Sequence, residues 1–147
     1  MAKKGGGPNA PVNNLANNGV YVLMDEITMQ SCADCLKWIM NQNLAETRLP
    51  QLTIIINSPG GDVHAAFALI DTMKASTIPI KTVGLGLIAS CGFLIFIAGK
   101  KGSRILTPNT SILSHQYSWG SAGKEHELYA SCLLYTSPEP TRRLNIS

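Results

Sequence analysis

Ser90 and His115 are the two side chains of this sequence whose types and order suit acyl transfer. Ser90 lies in a charge-free run from Thr82 to Gly99, TVGLGLIASCGFLIFIAG, with glycines on both sides. A buried hydroxyl without a partner costs roughly 1–3 kcal/mol, so a serine in such a run needs a purpose. Its small neighbours indicate that another group approaches its oxygen closely. His115 follows at the end of a short strand-like run and is the candidate base.

Attack of a serine on a carbonyl also needs N–H donors aimed at the developing oxyanion. The pattern predicts that Ser90 begins a helix directly after a strand, where backbone N–H groups are free and the helix dipole favours negative charge. The N–H of Cys91 is therefore one candidate donor. Gly60-Gly61 also follows a strand and precedes a helix, and is the candidate for the second donor and for close contact with substrate. Each feature alone is more often a helix cap, a tight turn or a structural histidine.

Strand and helix patterns alternate along the chain and predict an α/β fold with mainly parallel strands. The predicted strands are 20–24, 52–57, 80–86, 104–106 and 111–114, with a turn at 107–109. The predicted helices are 29–42 with Thr28 as N-cap, a second with the apolar face Val63, Ala66, Phe67, Ile70 and Met73, a third at 90–98 and a last one at 120–129. The β-branched run 52–57 is typical of a strand covered on both faces.

Composition narrows the class of protein. The 147 residues suffice for one domain, of which 45% are hydrophobic and only 14% charged. So few charges indicate that other subunits cover part of the surface. The net charge of +3 is spread over scattered lysines, which gives nucleic-acid binding little support. The first residues show no signal peptide, so we expect a cytoplasmic protein with reduced thiols.

Two patterns have a second interpretation. Cys32-x-x-Cys35 has the spacing of a metal or redox site, but it lies in a helical pattern with no second pair, which favours two small core residues. The charge-free run approaches the length of a membrane span, but its glycines and Ser90 interrupt it, which favours a buried strand followed by a buried helix. His64 and His126 lie among polar helical neighbours and are interpreted as structural or exposed.

Three segments together carry a specific resemblance: residues 56–61 (INSPGG), 88–92 (IASCG) and 114–116 (SHQ). The series resembles the motifs of the proteolytic subunit of Clp proteases, in which INSPGG is followed by Ala-Ser-x-Gly and then His-Gln. The similarity extends over roughly residues 18–130 and includes the turn at 107–109. It implies a crotonase-like α/β fold with stacked, mainly parallel strands and flanking helices.

The resemblance also implies a serine endopeptidase that acts on unfolded polypeptides. Position by position, Ser90 matches the nucleophile, His115 the general base, and Gly61 and Cys91 the oxyanion donors, with Gly60 beside the substrate. Members of the family form two stacked heptameric rings fed by a hexameric ATP-driven unfoldase. The resemblance implies no cofactor for this chain, because the partner unfoldase uses the ATP. It implies neither nucleic acid nor a membrane as a partner.

The sequence departs from the family pattern towards its end. The triad aspartate of the family lies about fifty residues beyond the histidine, and no residue here matches it; such a carboxylate orients the base. We expect a truncated C-terminal part, and the missing triad acid leaves both an active and an inactive chain compatible with the sequence. The expected organisation is a flexible segment at 1–17, a head domain at 18–130 with a handle helix starting near 122–130, and an atypical tail at 131–147 outside the fold.

Two other functions are compatible with these residues. A catalytically impaired subunit would join a mixed ring for assembly alone, which the missing aspartate favours and the retained Ser90 and His115 oppose. A crotonase-type acyl-CoA enzyme would share the fold and the paired N–H donors but would not need both of those side chains. The sequence shows no basic signature for the phosphates of CoA.

Overall fold

A parallel sheet forms the centre of residues 14–114, the part that the computed structural model describes. The strands are β1 Val20–Leu23, β2 Leu52–Ser58, β3 Ile80–Ala89, β4 Arg104–Leu106 and β5 Ser111–Leu113. The helices are α1 Met29–Leu44, α2 Val63–Ala75 and α3 Cys91–Ala98, with a short 3-10 helix at Leu15–Asn18 before β1. The strand order is β1-β2-β3-β4, and β5 also pairs with β3. All four pairings are parallel, which confirms the predicted α/β class.

Strand β3 has two partners on one side because a bulge divides it. Its first part pairs with β4 at Thr82–Gly84 and its last part pairs with β5 at Leu87–Ala89. Between them, β3 uses two more residues than β2 does, and Gly86 has φ 62°. Bulges of this kind bend a strand and redirect the residues after the bend. The strand therefore continues three residues past the predicted end, since the glycines that signalled a stop belong to the bulge.

One face of the sheet carries the core. Along β2, buried residues alternate with half-buried ones, and Leu52, Ile54 and Ile56 are 0% exposed. The opposite face, which the β-branched run predicted to be covered, is half-buried within the described residues. Further along the sheet, β4 and β5 are exposed, with Ile105 and Leu113 about half accessible.

Helix α1 begins as predicted. Thr28 caps it, and Ser31 completes a capping box by accepting the Thr28 backbone N–H. Cys32 and Cys35 lie on the inner face at 3% and 0% exposure, which confirms them as core residues.

Helix α2 buries three of the five residues predicted for its apolar face, Ala66, Ile70 and Met73. Its buried residues are Ala65, Ala66, Leu69, Ile70 and Met73. Phe67 is 44% exposed, so its prediction as a core residue is wrong. At 100° per residue, the stripe centred on Ala66, Leu69 and Met73 leaves Phe67 on the flank of the helix.

None of the helices within residues 14–114 is long and apolar enough to span a membrane. The charge-free run instead forms most of β3 and the eight-residue α3, as expected. The flexible segment predicted at 1–17 falls within the described residues only at 14–17, where the 3-10 helix Leu15–Asn18 and its N-cap lie. The rest of that segment, the predicted helix at 120–129 and the tail at 131–147 lie outside the described residues, as do His115 and His126.

Candidate active site

Ser90 occupies the single-residue junction between β3 and α3. It is the only non-glycine residue of the described region with positive φ, at φ 52° and ψ −126°. A left-handed backbone at a residue with a Cβ costs roughly 1–2 kcal/mol, and such strain is found where a site requires it. The sequence predicted Ser90 at this junction but not the strained conformation, which depends on how β3 and α3 pack.

Gly60 lies against Ser90. It belongs to the turn between β2 and α2, which we call the first turn. Its φ is 98°, and a Cβ on it would lie 2.6 Å from the Ser90 Cβ and 3.0 Å from the Ala89 carbonyl oxygen. A side chain at position 60 is therefore excluded by the turn that holds the serine. The predicted meeting of the two strand-to-helix turns is confirmed by this contact.

Gly61 is held by the segment that precedes α1. The Ile27 N–H donates to the Gly60 carbonyl at 2.8 Å, and the Asp62 N–H donates to the Ile27 carbonyl at 2.7 Å. In such a parallel bridge, the N–H of the middle residue points to the opposite side of the strand. The Gly61 N–H is thus directed away from Ile27. A Cβ at Gly61, whose φ is 145°, would collide with the Ile27 carbonyl oxygen.

Cys91 begins α3 with its side chain buried at 1% exposure. Burial raises the pKa of its thiol, while the nearby backbone of Gly61, of Cys91 itself and of Gly92 lowers it. The contact of Gly60 with Ser90 brings the residue before Gly61 against the residue before Cys91. The two N–H groups predicted as oxyanion donors therefore belong to segments in contact, and their catalytic role stays a prediction.

Strand β5 ends beside the serine. The Ser90 N–H donates to the Leu113 carbonyl at 2.8 Å, next to the register pair Ala89–Leu113. Ser114 is the last described residue, and His115 follows it outside the described region. The end of β5, the strand that precedes the predicted base in the sequence, is thus bonded to the backbone of the predicted nucleophile.

Ser58 is a site residue to which the sequence assigned no role. Its side chain is 0% exposed, and its Oγ accepts the Gly60 N–H at 3.1 Å. A Cβ on Gly92 would lie 3.1 Å from the Ser58 Cβ, so Ser58 also packs against α3. Ser58 directly follows the predicted strand 52–57, and no local sequence pattern signals these two contacts.

A surface groove of about 440 Å³ lies along β1 and the start of α1. Tyr21, Asp25 and Gln30 are among its lining residues, and neither glycine of the first turn nor Ser90 is. The groove is therefore separate from the candidate site.

The two thiols of α1 are buried in the core. This burial raises the pKa of Cys32 to about 11 and also raises that of Cys35. Residues 14–114 hold no cluster of three or more His, Cys, Asp or Glu side chains suited to a metal ion.

Comparisons with known proteins show which family this sequence and fold match. The family model described as Clp protease matches residues 5–135. The chain is 38% identical over 104 residues to ATP-dependent Clp protease proteolytic subunit 2 of Thermobifida fusca, which covers 69% of this chain and 51% of the relative. It is also 38% identical over 117 residues to proteolytic subunit 1 of Corynebacterium jeikeium, covering 78% of this chain and 60% of the relative.

A solved structure, a point mutant of ClpP1 from Listeria monocytogenes, superposes with a TM-score of 0.70 at 28% identity. The match covers 84% of this chain and 68% of that one. The chain spans about half the length of the first curated relative. Because the family model covers most of the sequence and the fold matches a solved member, the chain belongs to the Clp protease family.

Proposed function

We propose that this chain is a serine endopeptidase subunit of an ATP-dependent Clp-type protease. The observation that carries the proposal is the strained Ser90, whose Cβ faces Gly60 and whose N–H is bonded to the end of β5. A helix cap needs no such backbone, since Asp62 and Thr28 cap α2 and α1 from extended conformations.

In the proposed reaction, Ser90 Oγ attacks the scissile carbonyl carbon and His115 accepts its proton. The N–H groups of Gly61 and Cys91 stabilise the oxyanion. His115 then gives the proton to the leaving amine as the C–N bond breaks, which leaves an acyl-enzyme on Ser90. Water, deprotonated by the same histidine, releases the acyl group and restores the serine.

The partners are proposals by family. Relatives carry the name of an ATP-dependent protease subunit, which supports an ATP-driven unfoldase as partner and unfolded polypeptide as substrate. We further propose homo-oligomeric heptameric rings stacked in pairs, in the cytoplasm, without a cofactor in this chain. The exposed apolar residues of β4 and β5 and the low charge of the sequence support a surface covered by other protein.

A fluorophosphonate probe tests the nucleophile, because labelling requires an activated serine hydroxyl. The expected result is one adduct per chain, located on Ser90 by peptide mass spectrometry and absent from Ser90→Ala. Cleavage of an unfolded protein by the same preparation tests the endopeptidase. A folded chain that takes up no probe would overturn the proposal and favour a structural ring subunit.

A further inference from the structure

Ser58 is the buried polar residue closest to both halves of the candidate oxyanion hole. Its Oγ accepts the Gly60 N–H at 3.1 Å, which holds the first turn. Its Cβ, backbone oxygen and Oγ lie 3.1–3.4 Å from where a Cβ on Gly92 would be, in the first turn of α3. One side chain thus contacts the segment of each proposed donor.

We infer that Ser58 is a positioning residue that sets the distance between the N–H groups of Gly61 and Cys91. The inference rests on the proposed function, because the donors matter only if Ser90 reacts. Ser58 touches no reacting atom in this arrangement. It acts through Gly60, which lies between the Ser58 hydroxyl and the Cβ of Ser90.

A hydroxyl suits this position better than a methyl group. The Gly60 N–H is buried, and an unbonded buried donor is unfavourable, so Gly60 would turn towards another acceptor if the Ser58 oxygen were lost. Gly60 also has φ 98°, a conformation from which a glycine departs easily. The hydrogen bond to Ser58 therefore restrains Gly60, a residue of the most flexible type, directly before the proposed donor Gly61.

Thr82 provides a matched control. It is the other fully buried polar residue of residues 14–114, at 0% exposure, and its Oγ1 donates to the Phe96 carbonyl at 2.8 Å. That bond reaches the last turn of α3, at the end away from Ser90. Ser58→Ala and Thr82→Val each remove one buried hydroxyl that bonds to the backbone, but only the first removes it beside the donors.

The experiment compares the rate of fluorophosphonate labelling and the thermal midpoint of the full chain with those of Ser58→Ala and Thr82→Val. We expect both variants to unfold at similarly lowered temperatures. Labelling should slow by about tenfold or more in Ser58→Ala and stay within about twofold in Thr82→Val, since small misplacements of reacting groups can cost up to about 10² in rate. Hydrogen exchange of the Gly60 amide should rise in Ser58→Ala alone.

The outcomes separate the two proposals. If the unmodified chain labels and both variants slow equally, Ser58 is a structural residue and the inference is overturned while the proposed function stands. If Ser58→Ala does not fold, Ser58→Cys takes its place, because its thiol keeps a weaker acceptor. The labelling rate and the hydrogen exchange of the Gly60 amide are then measured in Ser58→Cys. Values equal to those of the unmodified chain would overturn the inference. If the folded unmodified chain does not label, the proposed function fails and the inference with it.

Discussion

Two strand-to-helix turns lie side by side in this molecule, and they begin their helices by different means. The first runs from β2 to α2 through Pro59, two glycines of positive φ and Asp62, whose carboxylate accepts the N–H groups of His64 and Ala65. The second runs from β3 to α3 through Ser90 alone, whose side chain makes no capping bond to α3 within the described residues.

This contrast separates the roles of the two polar side chains. A serine at a helix start is normally a cap that accepts an N–H from an extended backbone. At Ser90 the positive φ turns the hydroxyl out of the capping position. The backbone is strained, and the hydroxyl makes no capping bond to its own helix. In the first turn, glycines meet the conformational demand at lower cost and a carboxylate does the capping.

Substitutions at Ser90 should have the most severe consequences, and they distinguish its hydroxyl from its backbone. Ser90→Ala and Ser90→Gly both remove the proposed nucleophile, so probe labelling should fall to background in each. Their stabilities should differ, because glycine adopts φ 52° without the Cβ penalty. We expect Ser90→Gly to be more stable than Ser90→Ala by about 1–2 kcal/mol in urea unfolding. Equal stabilities would show that the backbone here is unstrained.

Gly61→Ala should damage the first turn almost as severely. The new Cβ would meet the Ile27 carbonyl at a φ of 145°, so the turn must shift. We expect a loss of about 1–3 kcal/mol in stability and of about 10² or more in labelling rate.

Gly102→Ala is the control for Gly61→Ala. Its φ is also positive, 83°, but nothing lies within 4 Å of its added Cβ. It should lose about 1 kcal/mol through backbone strain and keep its labelling rate. A similar loss of labelling in both variants would contradict a local role for Gly61.

Asp62→Ala tests whether capping and chemistry are separate. Removal of the carboxylate leaves two N–H groups of α2 without their acceptor, which should cost about 1 kcal/mol. Labelling should change by less than about threefold, since the side chain faces its own helix. Asp71→Ala, an exposed position of α2, should alter stability by no more than about 0.5 kcal/mol. A large loss of labelling in Asp62→Ala alone would show that capping by Asp62 and the reactivity of Ser90 are not independent.

The buried thiols of α1 and α3 should have the weakest influence at neutral pH. Burial raises the pKa of Cys32 from 9.0 to about 11, and it raises those of Cys35 and Cys91 too. A thiol whose pKa is raised by folding contributes its full stabilisation at a pH below its pKa in the unfolded chain. This stabilisation is lost as the pH rises through its pKa in the folded chain. Unfolding free energy should therefore be unaffected by these groups near pH 7 and fall between about pH 9 and 11.

Urea unfolding across that pH range measures this fall. Cys32→Ala should flatten it, because one titrating thiol is removed. A chain whose stability is the same at pH 8 and at pH 11 would contradict burial of the thiols.

Much of the fold followed from local patterns. The predicted strands and helices within residues 14–114 are present, and Thr28 and Asp62 cap their helices as capping chemistry requires. Boundaries were less accurate where a residue type has two uses. The glycines before Ser90 resemble a strand end but form a bulge, and Phe67 fits a helical stripe that tertiary packing rotates away from the core.

The candidate site was predictable only in its parts. Residue types and order predicted Ser90, His115, Cys91 and the two glycines as site residues, and their catalytic roles stay predictions. The motif series predicted the family, which the comparisons show. Ser58 was overlooked because its role depends on a hydrogen bond two residues away and on a glycine thirty-four residues further along the chain, which no local pattern reveals.

Element order, helix caps and family membership were encoded in the sequence, because they depend on periodicity, side-chain chemistry and motifs within short segments. Tertiary packing was needed to bring Gly60 against Ser90, to orient the Gly61 N–H through Ile27, and to let Leu113 accept the Ser90 N–H. These contacts join residues far apart in the chain, and the strained φ of Ser90 persists because all of them hold it at once.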